Sequence, residues 1–381
     1  MTGRDSVRTM KRRLTGWLAS AVRRPALDPG QLLALRPARI LIVRQHNQMG
    51  DMVCATPALR AIRETWPQAE IALVTAPVNR GVVAHNPHLD RIFTFAQRLW
   101  RNPVKLTAFL GEVRRFRPDL ALVLASVSFS ATSAAIALAS GARYVVGADS
   151  RPFGLDISPN AFSLLMPAQP ELDRHAVAHS LAPLEAVGIT TDDHSTVVVP
   201  SADEVETARK ILGNLDLTPG FWALHPGAGK EQNLWPAHGF AAVAERALAD
   251  GQSVLVLHGP VDAPALTAFL GALDPANRPR VKVAPQCPVG VGAALLAKAD
   301  RFLCNDTGIM HVAGALHIPT VALFGPTDPA LWKPPAVEVQ ALRSPHRSED
   351  PRGGEYGWME TISTDAVWAA WRALPGACEK D

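Results

Sequence analysis

The sequence predicts an α/β chain built on doubly wound parallel sheets, and three observations carry that prediction. Short runs of branched apolar residues recur with helical stretches between them. The runs are apolar throughout rather than alternating, as strands covered on both faces are. Near the middle the series is interrupted once by a polar, turn-rich stretch, and a length of 381 residues suits two or more domains better than one.

Taken in order, RILIV (39–43) is the first strand, and a helix follows it to about Trp66. EIALVTA (70–76), LALVLA (120–125) and ARYVVGA (142–148) continue the series. Leu120 to Ala142 carries no charge and is long enough to cross a bilayer core of roughly 30 Å. Its serines, among them Ser128, Ser130 and Ser133, would then lie in lipid. The stretch therefore reads as strand, serine-rich loop and helix. Residues 189–205 form the break, and within it Ser201 caps a new helix with Glu204 at its third position. FWALHPG (221–227), SVLVLHG (253–259), RFLCNDTG (301–308) and TVALFG (320–325) make a second series. Residues 340–360 read as loop, and a Trp-rich helix at about 363–373 closes the chain. The expected organisation is a basic extension (1–38), two sheet domains (39–200 and 201–345) and a terminal loop and helix (346–381).

Composition excludes several classes. With 48% hydrophobic and 19% charged residues the chain is neither disordered nor a disulfide miniprotein. Its four cysteines form no Cys-x-x-Cys pair, which fits a reducing compartment. Residues 1–39 hold nine Lys and Arg against Asp5 and Asp28, so the remainder is mildly acidic, a poor footprint for nucleic acid. No apolar signal segment follows the first basic residues. Leu14, Trp17, Leu18, Ala21 and Val22 fall on one helical face and could lie on an anionic bilayer; a solvated extension is the other reading.

Three segments could carry chemistry. In RILIVRQHNQMGDMVCATPALRAI (39–62), a strand runs into a polar loop containing Asn47 and Gly50, and Asp51 stands at the helix entrance. Asp51 there is either a proton acceptor at the mouth of a cleft or an ordinary cap. In CNDTGIMHVAGALHIPTVALFGPTDP (304–329), a strand ends at Asn305–Asp306 and Thr307–Gly308 open a helix whose free N–H groups suit a diphosphate. His311 lies one turn on, and GPTDP makes a second turn at the same sheet edge. In HPGAGKEQNLWP (225–236), neither a P-loop nor a dinucleotide fingerprint is satisfied; a glycine-bearing loop with Lys230 remains, suited to phosphate or merely solvated. No Asp-x-Asp pair offers a carboxylate-held divalent metal, His175, His179 and His194 are too loosely spaced for zinc, and Cys54 reads as a buried helix residue.

These segments, in this order, resemble glycosyltransferase family nine, the ADP-heptose:lipopolysaccharide heptosyltransferases. The resemblance runs from about Arg39 to Trp332 and is most specific in DTGIMHVAGALHIPTVALFGPTDP. It implies a GT-B fold, with two Rossmann-like doubly wound domains facing across a cleft, and an inverting, metal-independent glycosyltransferase with no cofactor beyond its nucleotide-diphosphate sugar. By position Asp51 matches the general base; Asp306, Thr307, Gly308 and His311 match the donor and diphosphate site. Gly227 and Ala228 match the donor loop, and Asp262 falls where an acidic group meets the ribose. The family's Lys-Arg-Trp-Pro is Asn233-Leu234-Trp235-Pro236 here, with Lys230 three residues earlier as a substitute cation. The implied donor is ADP-heptose and the acceptor a saccharide, free or lipid-linked, of lipopolysaccharide or a related glycan. The implied location is cytoplasmic, at the inner face of the cytoplasmic membrane. A sugar-nucleotide epimerase and a non-catalytic saccharide- or partner-binding protein are the alternatives.

Overall fold

A computed structural model describes residues 24–124, 127–345 and 358–376. The Leu14–Val22 helical face lies outside them. Two compact units result: residues up to Gln48 with Cys54–His194, and Met49–Val53 with the residues from Ser195 onward.

The first unit holds a six-stranded parallel sheet. Its strands are β1 (Arg39–Arg44), β2 (Glu70–Thr75), β3 (Arg91–Thr94), β4 (Leu120–Val123), β5 (Tyr144–Ala148) and β6 (Leu164–Met166). They are ordered β3-β2-β1-β4-β5-β6. The second unit repeats the plan with β7 (Phe221–His225), β8 (Val254–Val256), β9 (Val281–Val283), β10 (Ala299–Asn305), β11 (Thr320–Phe324) and β12 (Val339–Arg343). Their order, β12-β11-β10-β7-β8-β9, is the same winding. Each sheet therefore reverses its winding between two central strands, β1 and β4 in one and β7 and β10 in the other. Crevices for ligands open beyond the carboxyl ends of strands at such a switch point.

Each of the eight expected strand runs forms a strand, and the four additional strands, β3, β6, β9 and β12, are the sheet edges. Edge strands are covered less completely, so RIFT, VKV and VQALR lack the unbroken apolar signature of β1 or β7, while LLM is apolar but only three residues long. The stretch expected to be loop from residue 340 thus begins as strand β12. The single helix expected to reach about Trp66 is two, Met49–Cys54 and Thr56–Thr65. Pro57, in the first turn of the second, has no N–H to donate back to Val53, which breaks the ladder there.

In the uncharged 120–142 stretch the described residues include β4 and the helix Ala131–Ala139 capped by Ser130. Among the described residues no helix is long and apolar enough to cross a membrane. Residues 24–38, counted with the basic extension by sequence, pack on the first unit. Asp28 forms a capping box with Gln31, Leu32 is fully buried, and Leu27 donates its N–H to Ser163. In the second unit Ser201 and Glu204 form the expected capping box. The closing helix Thr364–Ala373 buries Val367 and Trp371 in that unit's core.

Candidate active site

In the second unit the donor loop leaves β7 at its switch point. His225, the last strand residue, is buried and turns both ring nitrogens to oxygens: Nδ1 lies 3.2 Å from the Gly227 carbonyl and Nε2 3.0 Å from Asp262 Oδ2. The Gly259 N–H donates to the same carboxylate oxygen at 2.6 Å. Gly227 lies against that carboxylate so closely that a methyl group on its Cα would sit 2.2 Å from Oδ1. Burial raises the Asp262 carboxyl, but the hydrogen bond and field of His225, the Gly259 N–H and His258 outweigh it and leave the carboxyl below its usual range. Sequence offered Asp262 to a ribose. At 5% exposure, and tied to His225 and to Gly259, it braces the loop carrying Gly227 and Ala228.

The second strand at this switch point, β10, supplies the other half of the site. Fully buried Asn305 donates from Nδ2 to the carbonyls of Pro226 (2.9 Å) and Gly227 (3.2 Å), while its Oδ1 accepts from Trp235 N–H (3.1 Å). Both ends of the donor loop are thereby fixed to β10. Asp306 follows, and Asn233 Nδ2 donates to its carboxylate at 3.0 Å and to its carbonyl at 3.2 Å. Burial holds the Asp306 carboxyl above its usual range; the Thr327 hydroxyl, the charge of Lys230 and the Asn233 amide pull against this without cancelling it. Lys230 is exposed, so at the position of the family lysine a neutral amide makes the direct contact while the cation acts from farther off.

Thr307 is extended (φ −154°, ψ 168°) and its side chain does not cap the helix Gly308–Ala315. Met310 N–H donates to the Thr307 carbonyl at 3.0 Å, which leaves the Gly308 and Ile309 N–H groups at the helix start, where the helix dipole favours an anion. Gly308 and Gly50 are both required by close approach. A methyl group on Gly308 would meet Met49 Cε at 2.6 Å and stand 3.6 Å from the Gly50 nitrogen; one on Gly50 would meet His311 Cδ2 at 2.7 Å. The turn bearing Asp51 thus packs on the start of the 308–315 helix as part of the second unit. Asp51 is partly exposed, in the first turn of its own helix. Asp51 therefore follows directly on the residue that meets the 308–315 helix start.

The family model for glycosyltransferase family 9 (heptosyltransferase) matches residues 119–356. The chain belongs to glycosyltransferase family 9. Among curated members, lipopolysaccharide heptosyltransferase 3 of Escherichia coli K12 is 22% identical over 333 residues, covering 85% of this chain and 95% of the relative. The solved family 9 glycosyltransferase of Veillonella parvula superposes with a TM-score of 0.74 at 22% identity, covering 92% of this chain and 98% of that one. The E. coli ADP-heptose lps heptosyltransferase II gives 0.72 at 20% identity, covering 88% and 98%. The fold is of the GT-B type, with two Rossmann-like sheets, as this family 9 sequence implied.

The structure assembles Gly227, Ala228, Asp306, Thr307, Gly308, His311 and Gly50 in the second unit and leaves Lys230 at its surface. Asn47 belongs to the first unit. His225 and Asn305, which hold the loop together, went unrecognised in the sequence although both stand inside the segments singled out there. Their signal was position, since each is a polar residue ending a central strand.

Proposed function

We propose that this family 9 member is an inverting, metal-independent transferase that moves heptose from ADP-heptose to a saccharide acceptor of lipopolysaccharide or a related glycan, at the inner face of the cytoplasmic membrane. The observation that carries the reading is the approach of Gly50 to Gly308 and His311, which packs the turn bearing Asp51 on the anion-binding helix start. The acceptor hydroxyl attacks the anomeric carbon on the face opposite the diphosphate. Asp51 takes the hydroxyl proton as the new carbon–oxygen bond forms, a general-base contribution of roughly 10²–10⁴-fold. The bond to the diphosphate oxygen breaks, configuration inverts, and the negative charge passes to the N–H groups of the Gly308 helix. Gly227 and Ala228 line the donor side, and Lys230 supplies long-range positive charge. The family membership and the likeness to the E. coli ADP-heptose lps heptosyltransferase II support the donor.

The test is transfer from ADP-heptose, followed by product NMR, with and without a chelator. The expected product has inverted anomeric configuration at a rate the chelator leaves unchanged. Asp51→Asn is expected to lose at least 100-fold in kcat while keeping ADP affinity. Wild-type turnover in that variant, or retention of configuration, would remove Asp51 from the role of base.

A further inference from the structure

At the switch point of the first sheet an open cavity of about 560 Å³ lies between the loop after β1 (Gln45 to Gln48) and the loop and helix start after β4 (Ser128 to Thr132). Its size suits a small ligand. Its lining is distinctive for what it contains: amides, hydroxyls, one imidazole and the Phe129 ring, with no lysine, arginine, aspartate or glutamate among the lining residues. Two polar atoms of that lining are buried and unpartnered, Gln45 Oε1 and His46 Nδ1. Gln45 is only 3% exposed, and its orientation is fixed. Its Nε2 donates to the Phe95 carbonyl at 3.4 Å, an acceptor that cannot face the amide oxygen, so Oε1 is the atom left over. A buried acceptor without a donor is destabilising, a penalty that a ligand hydroxyl would relieve.

We infer that this cavity is the acceptor subsite and that it takes an uncharged saccharide, whose hydroxyls donate to Gln45 Oε1 and pair with His46 and the loop serines while a carbon face of the ring lies on Phe129. The inference rests on the reading of the chain as a sugar transferase and narrows its acceptor. Burial, then the charge of Arg44, pushes the His46 ring down to about 4, so at neutral pH the imidazole brings no positive charge to the cavity. A carboxylate or phosphate placed here would leave water and gain no cation among the lining residues.

Acceptor binding to the full chain without donor is the direct test, by titration with methyl mannoside, methyl glucuronoside and methyl mannoside 6-phosphate. The neutral glycoside is expected to bind at least tenfold more tightly than either anion and to lose at least fivefold in folded Gln45→Met. Because Gln45 is buried, a second variant stands beside it: Ser128→Arg, at an exposed position of the lining, is expected to improve binding of the two anions selectively. Equal or tighter binding of the anions by the native chain, binding of no glycoside, or an Ser128→Arg change shared equally by all three would overturn the inference. Consumption of ADP-heptose is followed in parallel. Transfer to anionic acceptors alone sinks the neutral subsite and spares the transferase reading. Tight neutral binding without ADP-heptose turnover, whatever the acceptor, does the reverse.

Discussion

Gly50 faces the ring of His311 so closely that a single methyl group on its Cα would lie 2.7 Å from Cδ2 and 3.0 Å from Nε2. His311 is 4% exposed and its ring stands edge-on to Trp332 at 6.4 Å, so it has little room to withdraw. The glycine is thus needed for contact between the Asp51 turn and the 308–315 helix. Gly50→Ala is expected to lower kcat by at least tenfold, because reacting groups displaced by about an ångström lose roughly that much or more. Steady-state transfer with a parallel ADP titration checks this; unaltered kcat would show that the contact is dispensable.

The donor loop makes a similar demand at Gly227. Its added methyl group would meet Asp262 Oδ1 at 2.2 Å and force the carboxylate away from His225 Nε2 and the Gly259 N–H. Gly227→Ala is expected to cost about 1–3 kcal/mol of stability, in the range of overpacked cores, and to weaken ADP binding. Denaturant unfolding and calorimetry measure the two effects separately.

Asp306 provides a pH signature. Its carboxyl is raised, so the ionised form predominates only above the usual carboxylate range, and stability associated with the neutral form is lost as pH rises through that elevated value. If transfer uses the ionised group, the acid limb of the rate profile lies correspondingly high. Asn233→Lys puts a cation where Nδ2 now donates at 3.0 Å and is expected to move that limb to lower pH. A limb that stays in place would detach Asp306 from the profile.

His46 gives the opposite dependence in stability. Between its ordinary 6.5 and about 4 the unfolded chain binds a proton that the folded ring refuses. Stability therefore falls as pH drops through that window, by up to about 3 kcal/mol from this residue. His46→Gln is expected to flatten the pH dependence of unfolding between pH 6.5 and 4 by a comparable amount, read as the difference between wild type and variant in denaturant titrations.

Much of the fold was legible because central parallel strands must be apolar on both faces. Runs such as RILIV and TVALF admit few other readings, whereas RIFT and VKV, at the edges, carry no such constraint. The site was legible where backbone geometry demands a particular residue: Gly50, Gly227 and Gly308 mark close approaches. It was illegible where the role belongs to pairing across the sheet. Asn305 reaches residues 70 or more positions away, and nothing local to CNDTG reveals that its amide bridges both ends of the 226–235 loop. The His225 contact of Asp262 was hidden for the same reason, since the two are brought together only by the β7–β8 pairing.

The allegiance of Met49–Val53 bears on any attempt to divide the protein. These residues follow β1 in the chain yet pack with everything beyond Ser195. Genetic scission at the 194–195 junction would hand the carboxyl-terminal fragment an uncovered patch at Gly308 and His311 and strand its missing piece on the other half. Co-expressed fragments would recover turnover only by re-forming that borrowed turn, which makes split-protein complementation a direct assay of its grip.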